Sequence, residues 1–145
     1  MSQWWKQGKF RLRKRKDEKW ELKGAVWQPV LKEEHVLREI VTRLWFTARI
    51  KLWRINCPVG GKVQPNTPGI PDLIGYLPLA CALGPDGRAL SIPLFIEVKR
   101  PGGVRRTAQI QFIDEARKAG SAAFFAESWD DVCRELGTFG YKLAN

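Results

Sequence analysis

Apolar positions in this chain fall into regular spacings only from Pro29 onward. Over residues 31–48, Val36, Leu37, Ile40, Val41, Leu44, Trp45 and Ala48 recur at the interval that lines one side of an α-helix. At about 100° per residue, Glu33 falls near the middle of that stripe, Glu34 nearer its edge, and His35 points away. "IKLWRIN" then predicts a strand, and "CPVGGKVQPNTPG" a Gly/Pro-rich loop. Residues 72–83, "DLIGYLPLACAL", and 88–99, "RALSIPLFIEVK", predict two strands joined by "GPDG". Pro at the second and Gly at the fourth position suit a type I turn, so the two runs form an antiparallel hairpin. A helix with Thr107 as N-cap turns Phe112, Ile113 and Ala116 inward, with Gln109 on the same face. "SAAFFAES" predicts a buried strand, and Ser128 with Asp131 a capping box that opens a last helix.

Residues 1–28 behave differently. "WWKQGKFRLRKRKDEKWELKGAVW" alternates bases and aromatics without a sustained helical or strand period, which predicts an arm holding short helix or strand pieces at most. The chain therefore divides into a basic, aromatic arm over 1–28 and a domain over 29–145. Nine bases against three acids stand in residues 1–24, and the run Arg13, Lys14, Arg15, Lys16 is the densest.

Composition narrows the class. A chain of 145 residues with 44% apolar content can bury a real core, and its formal net charge of +10 points to a polyanionic partner, nucleic acid first. Three cysteines far apart and a single histidine argue against a Cys/His zinc site and against a disulfide scaffold. "MSQWWKQG" has no apolar leader core and no run approaches a membrane span, so the expectation is a cytoplasmic protein without a membrane partner.

Charge also sits where it is costly. Asp72, Glu97 and Lys99 interrupt two apolar strands, and buried charges need a partner or a metal. Pairing Leu83 with Arg88 sets Asp72 opposite Lys99, with Glu97 as its diagonal neighbour on the same face. In that register Pro78 opposes Pro93, which predicts a bulge or a broken ladder. Two convergent carboxylates offer hard oxygen ligands for a cation such as Mg²⁺, and a lysine beside them can stabilise charge on a phosphoryl group. An ion pair across the hairpin is the alternative use of the same residues. Gln109 on a core face needs a partner too: a site carboxylate or water, or else local backbone groups. Arg105 and Arg106 before that helix, and Arg54 with Asn56 at the end of the first strand, are candidate phosphate contacts or plain surface.

"GIPD" followed by "IEVK" resembles the PD-(D/E)xK nuclease signature. With "VLREIVTRL", "WRIN", "FIEVKRPGG", "TAQIQFIDEARKAG" and "ESWDDVCREL" in order, residues 30–137 resemble the VRR-NUC family of virus-type replication-repair nucleases. The resemblance implies an α/β fold with an αβββαβ core, its mixed central sheet flanked by helices. It further implies Mg²⁺- or Mn²⁺-dependent DNA hydrolysis, and homodimers that cut branched DNA such as Holliday junctions. It makes Asp72, Glu97 and the Val98 carbonyl metal ligands, and Lys99 and Gln109 catalytic. Glu33 would be the acid of the first helix, with Glu34 as the alternative because Leu37 stands where the family carries glutamine. A non-catalytic DNA-binding protein on the same fold is the competing expectation, and a nuclease acting on flaps or simple duplex the nearer one.

Overall fold

The computed structural model describes residues 4–7, 10–13, 20–23, 26–55 and 69–143. The chain forms two compact units, Met1–Leu31 and Lys32–Asn145. The first holds two antiparallel hairpins. Strand β1 (Trp4–Gln7) pairs with β2 (Phe10–Arg13), and β3 (Trp20–Lys23) with β4 (Val26–Pro29). Four-residue strands are too short to display a period, which is why the arm reads as irregular in the sequence. Lys14, Arg15 and Lys16 lie outside the described residues.

The second unit runs α1 (Glu33–Ala48), β5 (Leu52–Arg54), β6 (Leu73–Leu83), β7 (Ala89–Val98), α2 (Thr107–Lys118), β8 (Ala122–Ala126) and α3 (Trp129–Gly137). Its sheet has the order β5-β6-β7-β8, antiparallel except for the parallel β7–β8 pair. This is a mixed α/β core of the αβββαβ kind, extended by α3.

Alternation along the strands sorts the two faces. Leu73, Leu77, Leu94, Ile96, Val98 and Phe124 point to one side and form a single buried core with Ile40 and Leu44 of α1 and Val132 and Leu136 of α3. Trp45 departs from the predicted stripe. It is exposed, with the Arg49 guanidinium 5.6 Å from its ring centroid, because the stripe closes on Leu44 and Ala48. Glu33 is likewise exposed, being the first helical residue, beyond the reach of the core. On the opposite face α2 packs Phe112 edge-on against Phe95, ring centroids 5.2 Å apart. Ser128 caps α3: its hydroxyl oxygen accepts from the Asp131 N–H at 3.3 Å, while the Asp131 carboxylate accepts from the Glu127 N–H at 2.9 Å. Such a cap is worth about 0.5–2 kcal/mol.

Two expected details differ. The hairpin turn closes as predicted, with the Gly87 N–H donating to the Gly84 carbonyl at 2.9 Å, but Leu83 pairs with Ala89. An irregularity between Pro78 and Leu83 then moves the register so that Leu73 faces Ile96, and Pro78 faces Ser91 rather than Pro93. The Tyr141 hydroxyl donates to the Pro78 carbonyl at the edge of this irregularity. Helix α2 is capped by Arg106, with Thr107 its first residue, so the cap falls one position earlier than predicted.

Candidate active site

The register brings Asp72, just before β6, opposite Glu97, near the end of β7. Each carboxylate accepts from the other strand's backbone. The Asp72 N–H donates to Glu97 Oε2 at 3.2 Å, and the Val98 N–H to Asp72 Oδ2 at 3.1 Å. These reciprocal bonds orient both side chains at the strand ends. Lys99 lies two residues past Glu97 and so on the same face, and its ammonium pairs with Glu97 Oε1. The Lys99 N–H donates to the Ala126 carbonyl at 2.9 Å, which ties this strand end to β8.

Gln109 completes the group from α2. Its Nε2 donates to Glu97 Oε1, and its Oε1 accepts from the Arg106 N–H at 3.0 Å. The two uses foreseen for this side chain are therefore one arrangement: the amide satisfies the helix start with its oxygen and the carboxylate with its nitrogen. Glu97 is 1% exposed and Lys99 7%, whereas Asp72 is half-buried. Asp72 Oδ1 carries no hydrogen bond from the described residues.

Burial pushes the Glu97 carboxyl above the ordinary carboxylate range, with the Lys99 hydrogen bond acting in the other direction and the Asp72 charge adding to the rise. The sign of the consequence is fixed. Above the ordinary value of 4.5 an unfolded chain has lost the proton that the folded chain keeps, so Glu97 subtracts stability as pH rises through that window. Thermal melts in chelator should show the wild type losing ground to Glu97→Gln between about pH 4.5 and 7. A melting-temperature gap constant over that range would refute the assignment.

The donor set suits a hard divalent cation. Two carboxylates and a strand-end carbonyl, that of Val98, match the habit of Mg²⁺ of taking one or two carboxylates and keeping waters. Lys99 is, among the described residues, the cation paired at these two carboxylates, of which Glu97 is buried and Asp72 half-buried. Among the described residues no three or more His, Cys, Asp and Glu side chains form a group able to hold a metal, and Glu33 is exposed at the first turn of α1.

Glu34 is differently engaged. It pairs with Arg54 at 3.0 Å, and next to Arg54 the Ile55 N–H donates to the Asp72 carbonyl at 2.9 Å. The first turn of α1 thus reaches the strand end beside Asp72 through Glu34. Arg105 is paired with Glu127 at 3.4 Å and stacks 4.7 Å from the centroid of Phe125. Glu127 also accepts from the Gly102 N–H at 2.9 Å and anchors the loop that follows Lys99. Nothing in the local spacing marks Glu127, because its partners lie more than twenty residues away. Arg106 is exposed at the α2 cap, and Asn56 lies outside the described residues.

A mixed sheet that carries Asp72, Glu97 and Lys99 at adjoining strand ends, flanked by helices, defines a nuclease fold of the PD-(D/E)xK kind. Over residues 8–129 the chain matches the family model described as the VRR-NUC domain. That span is most of the chain, and the protein belongs to the VRR-NUC family, a nuclease family. The match begins inside the arm and ends at Trp129, whereas the motifs read in the sequence spanned 30–137. No curated protein and no solved structure matches the chain. No helix among the described residues is long and apolar enough to cross a membrane.

Proposed function

We propose that this nuclease is an endonuclease that hydrolyses phosphodiester bonds of branched or structured DNA, dependent on Mg²⁺ or Mn²⁺ held by Asp72, Glu97 and the Val98 carbonyl. The observation that carries this reading is the reciprocal bonding of Asp72 and Glu97 to each other's strand ends with Lys99 and Gln109 on the same carboxylate. A bound divalent cation would supply Lewis acidity at a phosphoryl oxygen and a more acidic water. Lys99, held in place by Glu97, offsets negative charge that develops on the phosphoryl group. Gln109 orients the Glu97 carboxylate and, through its amide, can hold a water for in-line attack. Glu34 steadies the Asp72 strand end through Arg54. The exposed Arg54 and Arg105 pairs are each worth about 0–1 kcal/mol, so exchanging a carboxylate for a DNA phosphate costs little. A panel of junction, flap and plain duplex DNAs with Mg²⁺, Mn²⁺ or EDTA tests the reading. Cleavage that persists in EDTA rejects it, and binding without cleavage of any substrate favours a non-catalytic DNA-binding protein.

One domain of this kind offers one cluster, and a symmetric junction needs two, which a two-fold dimer supplies. Trp45 and Phe46 near the end of α1 are exposed and give such an interface apolar area. The expected species by sedimentation at micromolar concentration is a homodimer. A monomer that still cuts junctions symmetrically would contradict this.

The arm is the remaining source of DNA affinity. Deleting residues 1–24 should weaken binding and make the salt dependence shallower. The slope of log affinity against log salt should fall by about 0.9 for each phosphate that the arm neutralises, Arg13, Lys14, Arg15 and Lys16 being the leading candidates. Affinity and slope both equal to the full chain's would remove the arm from the DNA interface.

A further inference from the structure

Helix α2 packs on β8 and, through Phe112 and Gln109, on β7 of the sheet face that carries Glu97 and Lys99. On the β5–β6 half the same face presents Trp53 and Tyr76, which are 44% and 61% exposed. Their assignment to that face follows from register. Trp53 pairs with Ile74 and Tyr76 with Pro93, in the same parity as Asp72 and Glu97. The rings meet edge to face, 6.1 Å between centroids at 81°, and the Lys51 ammonium lies 5.3 Å from the Trp53 centroid. Tyr76 stands four residues beyond Asp72 on one strand, about 13 Å at strand rise.

We infer that Trp53, Tyr76 and Lys51 form a platform for an unpaired nucleotide of the substrate, so that this enzyme selects DNA with unstacked bases beside the scissile bond. The inference rests on the proposed nuclease reading and adds a substrate feature to it. A base has a π-face for an aromatic ring and brings a phosphate for a lysine, and the chain's charge of +10 favours that polyanion over a neutral partner. Trp53 and Tyr76 share one sheet face with the Asp72 cluster, so a base stacked on them lies on the same side of the sheet as the reacting groups. A second copy of this chain is a poorer fit. Two rings bury about 150–250 Å² each, well short of the roughly 800 Å² per partner of a stable interface. Trp53 and Tyr76 lie outside the buried core cluster, so nothing in the core requires aromatic rings at these positions.

The test measures affinity in EDTA, where no cleavage is needed, for a labelled duplex and for the same duplex carrying an unpaired oligothymidine flank. Trp53→Ala and Tyr76→Ala should each weaken flank-bearing DNA by about 5- to 150-fold and the plain duplex by less than about twofold. Trp53→Phe and Tyr76→Phe should restore most of the difference, which a lost fold could not do. Equal losses on both DNAs, or none on either, would overturn the platform. Dissociation of a dimer by the double alanine variant with DNA affinity unchanged would assign the rings to a copy-to-copy interface and overturn it as well. Flank preference that depends on the rings in a protein unable to cleave any DNA with Mg²⁺ or Mn²⁺ would leave the platform standing and reject the nuclease reading instead.

Discussion

Replacing Asp72 or Glu97 with alanine will abolish DNA cleavage while the fold persists. The expected loss is at least about 10²–10³-fold, the scale on which removal of one group that stabilises charge in a transition state acts. Two features separate this from damage to the fold. Asp72 is half-buried at a strand end and belongs to no apolar cluster, so its loss opens no core cavity. Removing Asp72 relieves repulsion on the buried Glu97. Glu97→Ala instead leaves the buried Lys99 ammonium without this partner and costs stability, so Glu97→Gln is the cleaner variant at that position. Lys99→Ala should be nearly inactive as well, yet leave both carboxylates able to bind a cation. Isothermal titration with Mn²⁺ and a cleavage assay on the same preparations discriminate the three variants. The lysine variant should titrate and not cut, and the carboxylate variants should do neither. Undiminished cleavage by the Asp72 variant would sink the assignment.

The second large effect is expected at a residue without chemistry. Gly69 sits at φ +94°, where other L-residues are strained, and a Cβ there would come within 2.7 Å of the Ala108 carbonyl carbon and closer still to its oxygen. Ala108 adjoins Gln109 at the start of α2, so the segment leading into Asp72 lies against the helix turn that supplies the amide. Gly69→Ala combines backbone strain with overpacking against main chain, each about 1–3 kcal/mol. A summed loss of roughly 2–6 kcal/mol by denaturant unfolding is the expectation. Cleavage should fall with it even under conditions where the variant is fully folded, because the segment must move off α2. A variant as stable and as active as wild type would show that the close approach is not maintained in solution.

The legible parts of the fold are those with a local signal. Helix α1, the hairpin and the capped α3 each announce themselves through period, turn residues or cap. The convergence of Asp72, Glu97 and Lys99 is legible through parity alone. The predicted register put Asp72 opposite Lys99 and the observed one puts it opposite Glu97, a shift of two that keeps Asp72, Glu97 and Lys99 on one face. The count failed because residues between Pro78 and Leu83 leave the ladder, and spacing rules cannot say how many. Contacts between distant positions were not legible: Glu34 with Arg54, and Glu127 with Gly102, are set by packing that no short window contains. The exposure of Glu33 and Trp45 has the same origin, since a helical stripe predicts a face but not how far the core extends beneath it.

The strand order carries a consequence for when the Asp72, Glu97 and Lys99 cluster can form during synthesis. Ribosomes deliver the chain from its N-terminus, and Asp72, Glu97 and Lys99 emerge well before β8. The Lys99 backbone N–H is held by the Ala126 carbonyl, and Glu97 receives its amide from α2. A nascent chain that already displays the acidic pair and the lysine therefore lacks the braces that aim them. The parallel β7–β8 pairing delays assembly further, because it cannot close before the intervening helix has been made. A polypeptide interrupted before residue 126 would carry Asp72, Glu97 and Lys99 without the backbone bond that fixes the strand end bearing them.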